Sequence, residues 1–459
     1  MRIEDLRPLA ADVSDYTELR WQENRSLGIA LVKGSVMQNA RSSESGVSAR
    51  VYRAGAWGFA SDPNVNVDAV RSVRAAAAAN ARFLDDRERK QHGSLPARPT
   101  EARHDFSTSK PRWTQKELLG FMKELDNHIA ADYPDLLSRT VVLRCLDMEK
   151  ALVTADGSAA QSLTPRAILS IVLSAEADGH PVEISRTFGG LGHFEDVFDA
   201  PDTLYARIAK LYEQLKDKQA GVYPEAGYKE CVLDSELAGI LAHEAIGHTA
   251  EGDFVLSGSA AADYLGKEAA SPLVTLVDFA HTADGSTCPV PVHVDDEGTE
   301  AMDVTLIKDG ILQAYLHSKE TALLLGAAPT GNARAFQFSD EPLVRMRNTA
   351  FLPGNDRLED MIASIDDGYY LIRPSNGQAD ATSEFMFGVT LGYEIKQGKL
   401  GRAIKDTTIS GVAFDMLKTV SMVSDDMTWM GAGMCGKKQM IPTGFGGPAL
   451  KCRVMIGGR

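Results

Sequence analysis

Long apolar runs are missing from this 459-residue chain, and none approaches the roughly 20 residues that span a bilayer. Basic residues are in the minority, 48 against 63 acidic ones, for a net charge of −15. That balance argues against nucleic acid and anionic membrane surfaces as partners. Cysteines are few: five, at 145, 231, 288, 435 and 452, odd in number and without paired spacing. A disulfide framework is therefore not expected, and free thiols in a reducing cytoplasm fit the pattern. Nor does the N-terminus offer a signal-peptide core, because Glu4 and Asp5 stand where an apolar stretch would be needed. What the chain does hold is 44% hydrophobic and 24% charged residues, the composition of a soluble globular protein. Its length calls for two or three domains.

The first 20 residues read as a short helix and turn. Polar and apolar positions then alternate through 16–62, with Gly34, Gly46 and Gly55 as punctuation, which predicts an antiparallel meander. Val67 to Leu84 carries helical periodicity. Gly93 to Arg112, with three prolines, reads as an extended connector. A helix from Thr114 to about Ala131 is announced by the Thr114 and Glu117 capping pair. Strands follow between Val141 and Arg186, turning at Asp156-Gly157 and Asp178-Gly179, and residues 203–218 are helical. From Asp234 the character changes: a helix over Ser235–His248, then short strands with hairpins at Asp309-Gly310 and Gln397-Gly398. The expected class is α+β, with a sheet-and-helix domain over 1–225 (a possible sub-boundary near 93–112). A mainly β domain over 226–459 carries the helix.

That helix contains His243-Glu244-Ala245-Ile246-Gly247-His248. Histidines four apart share a helix face, but these are five apart, roughly 140° around a regular helix. A local π-turn would bring the rings back together, and Gly247 would ease it by adding no Cβ. Alternatively the helix ends near Gly247 and His248 enters from the following turn. Alone, the pair is better served by a buried His243 bonded to a carbonyl with Glu244 in water. Cys435, in Gly431-Ala432-Gly433-Met434-Cys435-Gly436-Lys437, shifts the balance. Glycines on both sides allow close approach to a metal, and Lys437 would help hold a thiolate. The competing reading is a small core cysteine in a tight turn.

The motif, continued by Glu251-Gly252-Asp253-Phe254, resembles the signature of the TldD/PmbA family of metallopeptidases. Asp295-Asp296-Glu297-Gly298, Thr330-Gly331-Asn332-Ala333-Arg334, Arg345-Met346-Arg347-Asn348-Thr349 and the stretch from Cys435 to Gly457-Gly458 match in order. Upstream, Trp57-Gly58-Phe59-Ala60-Ser61 resembles the family's N-terminal sheet. The chain is similar to the catalytic, TldD-type subunit, whereas the partner subunit lacks the histidines. Thr249-Ala250 departs from the Gly-Leu pair of many members.

The resemblance implies that His243, His248 and Cys435 ligate Zn²⁺ and leave a fourth position for water, with Glu244 as general base. It implies hydrolysis of unfolded or flexible peptides by a cytoplasmic homodimer, or by a heterodimer with a PmbA-like subunit. A peptide adding to an exposed strand edge would suit the β-rich half. Asp295, Asp296, Glu297 and Arg334 are candidate substrate contacts. His281, His293 and His317 lack ligand spacing and are assigned to structure. Two other readings compete: a small-substrate zinc amidase, and a regulatory subunit whose metal is structural.

Overall fold

The computed structural model describes residues 1–10 and 14–457. Part of the expected first turn (11–13) and Gly458 lie outside them. Helix α1 (Ile3–Ala10) buries Ile3, Leu6 and Ala10. The alternating stretch then forms an antiparallel meander of β1 (Tyr16–Val32), β2 (Ser35–Arg53) and β3 (Ala56–Asp62). Helix α2 (Val67–Glu88) is capped by Asn66 and buries Ala69, Val70, Val73, Ala77 and Ala81, a stripe of helical spacing.

The connector is not structureless. Glu101–Asp105 forms β4, parallel to the start of a later strand. Its polar side chains suit a sheet edge, where one flank stays exposed and no apolar alternation is required. Helix α3 (Gln115–Asp132) starts at the Thr114 capping box: the Thr114 side chain accepts from the Glu117 amide, and Glu117 accepts from that of Thr114. Strands β5 (Ser138–Thr154), β6 (Ala159–Ala177) and β7 (His180–Leu191) follow, then α4 (Phe194–Val197) and α5 (Tyr205–Ala220). All seven strands make one sheet, β3-β2-β1-β5-β6, with β4 and β7 both against β6.

The second half opens on β8 (Gly227–Leu233), which leads into α6 (Ser235–Leu241) and a π-helical turn over Ala242–Gly247. Strand β9 (Leu276–Phe279) lies within a six-stranded sheet that ends on the hairpin of Gln439–Gly447 and Thr428–Lys437. Among the described residues, Thr428–Lys437 is its outermost strand, with one flank unpaired. In the third sheet, Asp367–Ala379 pairs with both β8 and Glu384–Lys396, which closes a ring of strands. Both expected hairpins form. At Asp309-Gly310 the φ values are 49° and 84°, the left-handed pair that a two-residue turn needs.

Leu237, Leu241, Ala242, Ala245 and Ile246 are fully buried among the strands of the second half. At about 1.5–3 kcal/mol for each large apolar side chain, that burial holds the helix rigidly between the last two sheets. The fold is α+β, and no helix among the described residues is long and apolar enough to cross a membrane.

Candidate metal centre

The local sequence explains the turn that carries both histidines. Asp234 caps α6 by accepting from the Leu237 amide, and the apolar residues behind it dock the helix. The His248 amide then bonds the His243 carbonyl at 3.2 Å, the i→i+5 bond of a π-turn. Of the two routes open from sequence, the chain takes the π-turn. Gly247 is required there for a reason its neighbours supply: a Cβ on it would collide with the Met346 sulfur.

The π-turn places the two rings 5.2 Å apart, nearly perpendicular. Cys435, on the outermost strand, brings its Sγ to 3.2 Å from His248 Nε2. One ligand atom from each of His243, His248 and Cys435 lies within 4.8 Å of the others. His243 is 2% exposed, yet neither ring nitrogen has a hydrogen-bond partner. A buried imidazole left without partners is costly unless something binds it, and here both nitrogens are unsatisfied beside a thiol. Burial alone would push the Cys435 thiol up, but His243 and His248 outweigh it and hold it at about 4. His248 moves the opposite way. Burial lowers it, while Glu251 and Cys435 raise it to about 10. The pair is thus poised as thiolate and imidazolium, and a cation can replace the proton.

Glu244 stands apart from the cluster, with its Oε2 3.6 Å from His248 Nε2 and its side chain 28% exposed. It faces a cleft of about 560 Å³ shared with His248, Phe254, Met434 and Lys437. A carboxylate beside a ligand and open to a cleft can accept a proton from water there.

Several supporting residues carry no signal by type alone. Glu251, fully buried, meets His248 Nδ1 at 3.1 Å and Lys437 Nζ at 2.8 Å; burial would raise its pKa, but the two cations hold it below the usual carboxylate range and so keep it charged. Its position three residues after His248 was the available clue. Lys437 does not touch the thiol as expected; it reaches Glu251, Asp253 and the Val344 carbonyl. Arg345, fully buried, donates to the carbonyls of Cys435 (2.7 Å) and Gln439 (3.0 Å) and so fixes the hairpin that presents the thiol.

The four candidate substrate contacts are buried. Asp295 accepts from the amides of Glu297, Thr299 and Ala333. Asp296 takes Lys150 Nζ at 2.7 Å and the Ala335 amide at 2.8 Å. Glu297 takes Arg50 Nη1 at 2.5 Å and the Lys319 amide at 2.7 Å. Arg334 donates to the carbonyls of Met346 and Pro442. Lys150 and Arg50 belong to the N-terminal sheet, so Asp296 and Glu297 dock that sheet onto the second half. Asp296 and Glu297 thus pair with cations of that sheet, whereas Asp295 and Arg334 bond backbone groups alone. Arg347 is likewise structural, paired with Asp278 at 2.9 Å where both are fully buried. His293 stacks on both His281 and His104, the latter a residue the sequence did not single out.

A thiolate and two imidazoles around one point, with a free carboxylate at the cleft, define a metal-dependent hydrolase. Comparison with known proteins agrees. The C-terminal domain of PmbA/TldA metallopeptidases matches residues 226–458, and domain 1 of the same group matches 17–81. The chain is 31% identical to a metalloprotease of Methanothermobacter thermautotrophicus, over 97% of this chain and 96% of that one. It is 32% identical to a zinc metalloprotease TldD homolog of Saccharolobus solfataricus, over 67% and 66% of the two chains. The crystal structure of TldE from Thermococcus kodakarensis shares the fold with a TM-score of 0.78 at 16% identity, covering 99% of this chain and 100% of that one. The chain belongs to the PmbA/TldA family of metallopeptidases.

Proposed function

We propose that the protein is a zinc-dependent peptidase that cleaves unfolded or flexible peptides, with His243, His248 and Cys435 holding the ion. The observation that carries this reading is the convergence of the three ligand atoms around a buried histidine with no other partner. Nitrogen and sulfur ligands at their usual distances from one tetrahedral zinc lie about 3.6 Å apart, close to the 3.2 Å between Cys435 Sγ and His248 Nε2. Soft thiolate with imidazole favours zinc over hard cations. Zinc bound there supplies a Lewis acid for the scissile carbonyl and lowers the pKa of water.

The chain's own residues supply the rest. Glu244 takes a proton from water in the cleft and returns it to the leaving amine. Glu251 holds His248 by Nδ1 and thereby aims Nε2 at the ion. The unpaired flank of Thr428–Lys437 offers backbone donors and acceptors to an extended peptide beside Cys435. Main-chain pairing of that kind binds flexible chains with little side-chain preference. All five cysteines are free thiols, which suits a cytoplasmic enzyme. Assembly is as a homodimer or with a PmbA-like partner, supported by the fold shared with TldE.

The test is metal content together with cleavage of an unfolded, casein-like substrate. Wild type should carry about one zinc per chain, with Cys435→Ala losing metal and activity together. Glu244→Gln should keep the metal and lose activity by about 10²–10⁴-fold. Full activity in Glu244→Gln, or unaltered zinc in Cys435→Ala, would refute the assignment.

A further inference from the structure

Two arginines on the N-terminal sheet look toward the strand that carries Cys435. In the β5–β6 register Leu146 faces Arg166 and Arg144 faces Ile168, so Arg144 and Arg166 are diagonal neighbours on one face. The acids of β5, Asp147 and Glu149, alternate onto the opposite face, where Arg25 and Arg112 pair with them. The face of Arg144 and Arg166 lines a groove of about 550 Å³, and no Asp or Glu lines it. Two cations without an acid are notable in a chain of net charge −15.

The charges are uncompensated from within. Arg144 makes no ion pair or hydrogen bond among the described residues. Arg166 is 5% exposed and donates only to the carbonyls of Pro289 and Gly431. Burial of a guanidinium with no counter-charge is expensive, and nothing acidic offsets it.

The groove also adjoins the metal centre. Met434 lines both it and the cleft that holds Glu244 and His248. Gly431, which receives Arg166, is four residues before Cys435 on the same strand. At about 3.3 Å per residue, the arginines sit roughly 13 Å along that strand from the ligand. A peptide leaving the cleft past Met434 would reach the groove of Arg144 and Arg166.

We infer that this arginine groove binds a carboxylate of the peptide substrate, and that the enzyme therefore favours acidic segments beside the cleaved bond. The inference rests on the peptidase reading above and adds a substrate class to it. The carboxylate is either an acidic side chain or the peptide's C-terminus.

Binding to zinc-loaded Glu244→Gln protein tests this without cleavage, by fluorescence anisotropy of labelled flexible peptides. One peptide carries glutamates and an amidated C-terminus, a second has glutamine in their place, and a third is the second with a free carboxyl end. The glutamate peptide should bind roughly three- to tenfold tighter than the glutamine amide, and the gap should close as salt rises to about 0.5 M. A gain confined to the free-acid glutamine peptide assigns the site to the C-terminus. Adding Arg144→Glu, an exposed position, should reverse the preference; adding Arg166→Lys should reduce it. Thermal melts would confirm that both variants fold. Equal binding of all three peptides, or a preference that survives Arg144→Glu, overturns the inference. Charge preference in a chain that cleaves nothing would instead defeat the peptidase reading and leave the groove standing.

Discussion

Lys437 Nζ and His248 Nδ1 converge on the same oxygen, Glu251 Oε2, at 2.8 and 3.1 Å. Lys437 is two residues from Cys435, so one buried carboxylate ties a ligand on the π-turn to the strand bearing the other ligand. Glu251→Gln keeps the shape and removes the charge. We expect metal affinity about 10–100-fold weaker, read by chelator competition. Unchanged affinity would reduce Glu251 to a packing element.

The π-turn depends on the absence of a side chain at one position. Gly247→Ala drives a methyl into the Met346 sulfur, which should cost about 1–3 kcal/mol in denaturant unfolding. Shortening the obstacle in the double variant Gly247→Ala/Met346→Ala should recover part of the metal binding lost by Gly247→Ala. A single variant as stable and as well metallated as wild type would show that the turn does not need the glycine.

Asp296 docks the N-terminal sheet through Lys150 and the Ala335 amide. Asp296→Asn leaves a buried lysine without its acid and should lower stability by about 3 kcal/mol, with KM for peptide unaltered in the folded fraction. The reverse result, raised KM at full stability, would restore Asp296 to substrate binding.

Acid should loosen the protein through its buried histidines. Burial and then the stacked His104 and His281 push His293 down to about 4, and burial does the same to His317. Free histidine titrates near ~6.5, so between ~6.5 and 4 the unfolded chain takes up protons that the folded chain refuses. Stability therefore falls as pH drops through that window and is fully present above it. His293→Phe keeps a flat ring between His104 and His281 but cannot charge. Its Tm should fall less than that of wild type between about pH 7.5 and about pH 5. Parallel declines would rule out His293 as a contributor.

Much of the chemistry was legible from residue types and spacing. Two histidines, an adjacent glutamate and a cysteine between glycines offered candidate donors, and the family resemblance set that reading above a buried histidine and a core cysteine. The Thr114 capping box and the Asp309-Gly310 turn are equally local, because their partners lie within three residues. Strand β4 was not legible, since an edge strand shows neither apolar alternation nor a complete set of ladder partners.

The amino-acid sequence by itself determined the candidate ligands, the helices with strong caps, the two-residue hairpins and the excess of negative charge. Tertiary structure alone decided that the helix continues as a π-turn, because Met346, almost a hundred residues away, is what forbids a Cβ at Gly247. It alone gave Asp296 and Glu297 their duties, since Lys150 and Arg50 reach them from another sheet. Local rules cannot see such partners: a charge in the sequence carries no mark of the counter-charge that burial will bring beside it.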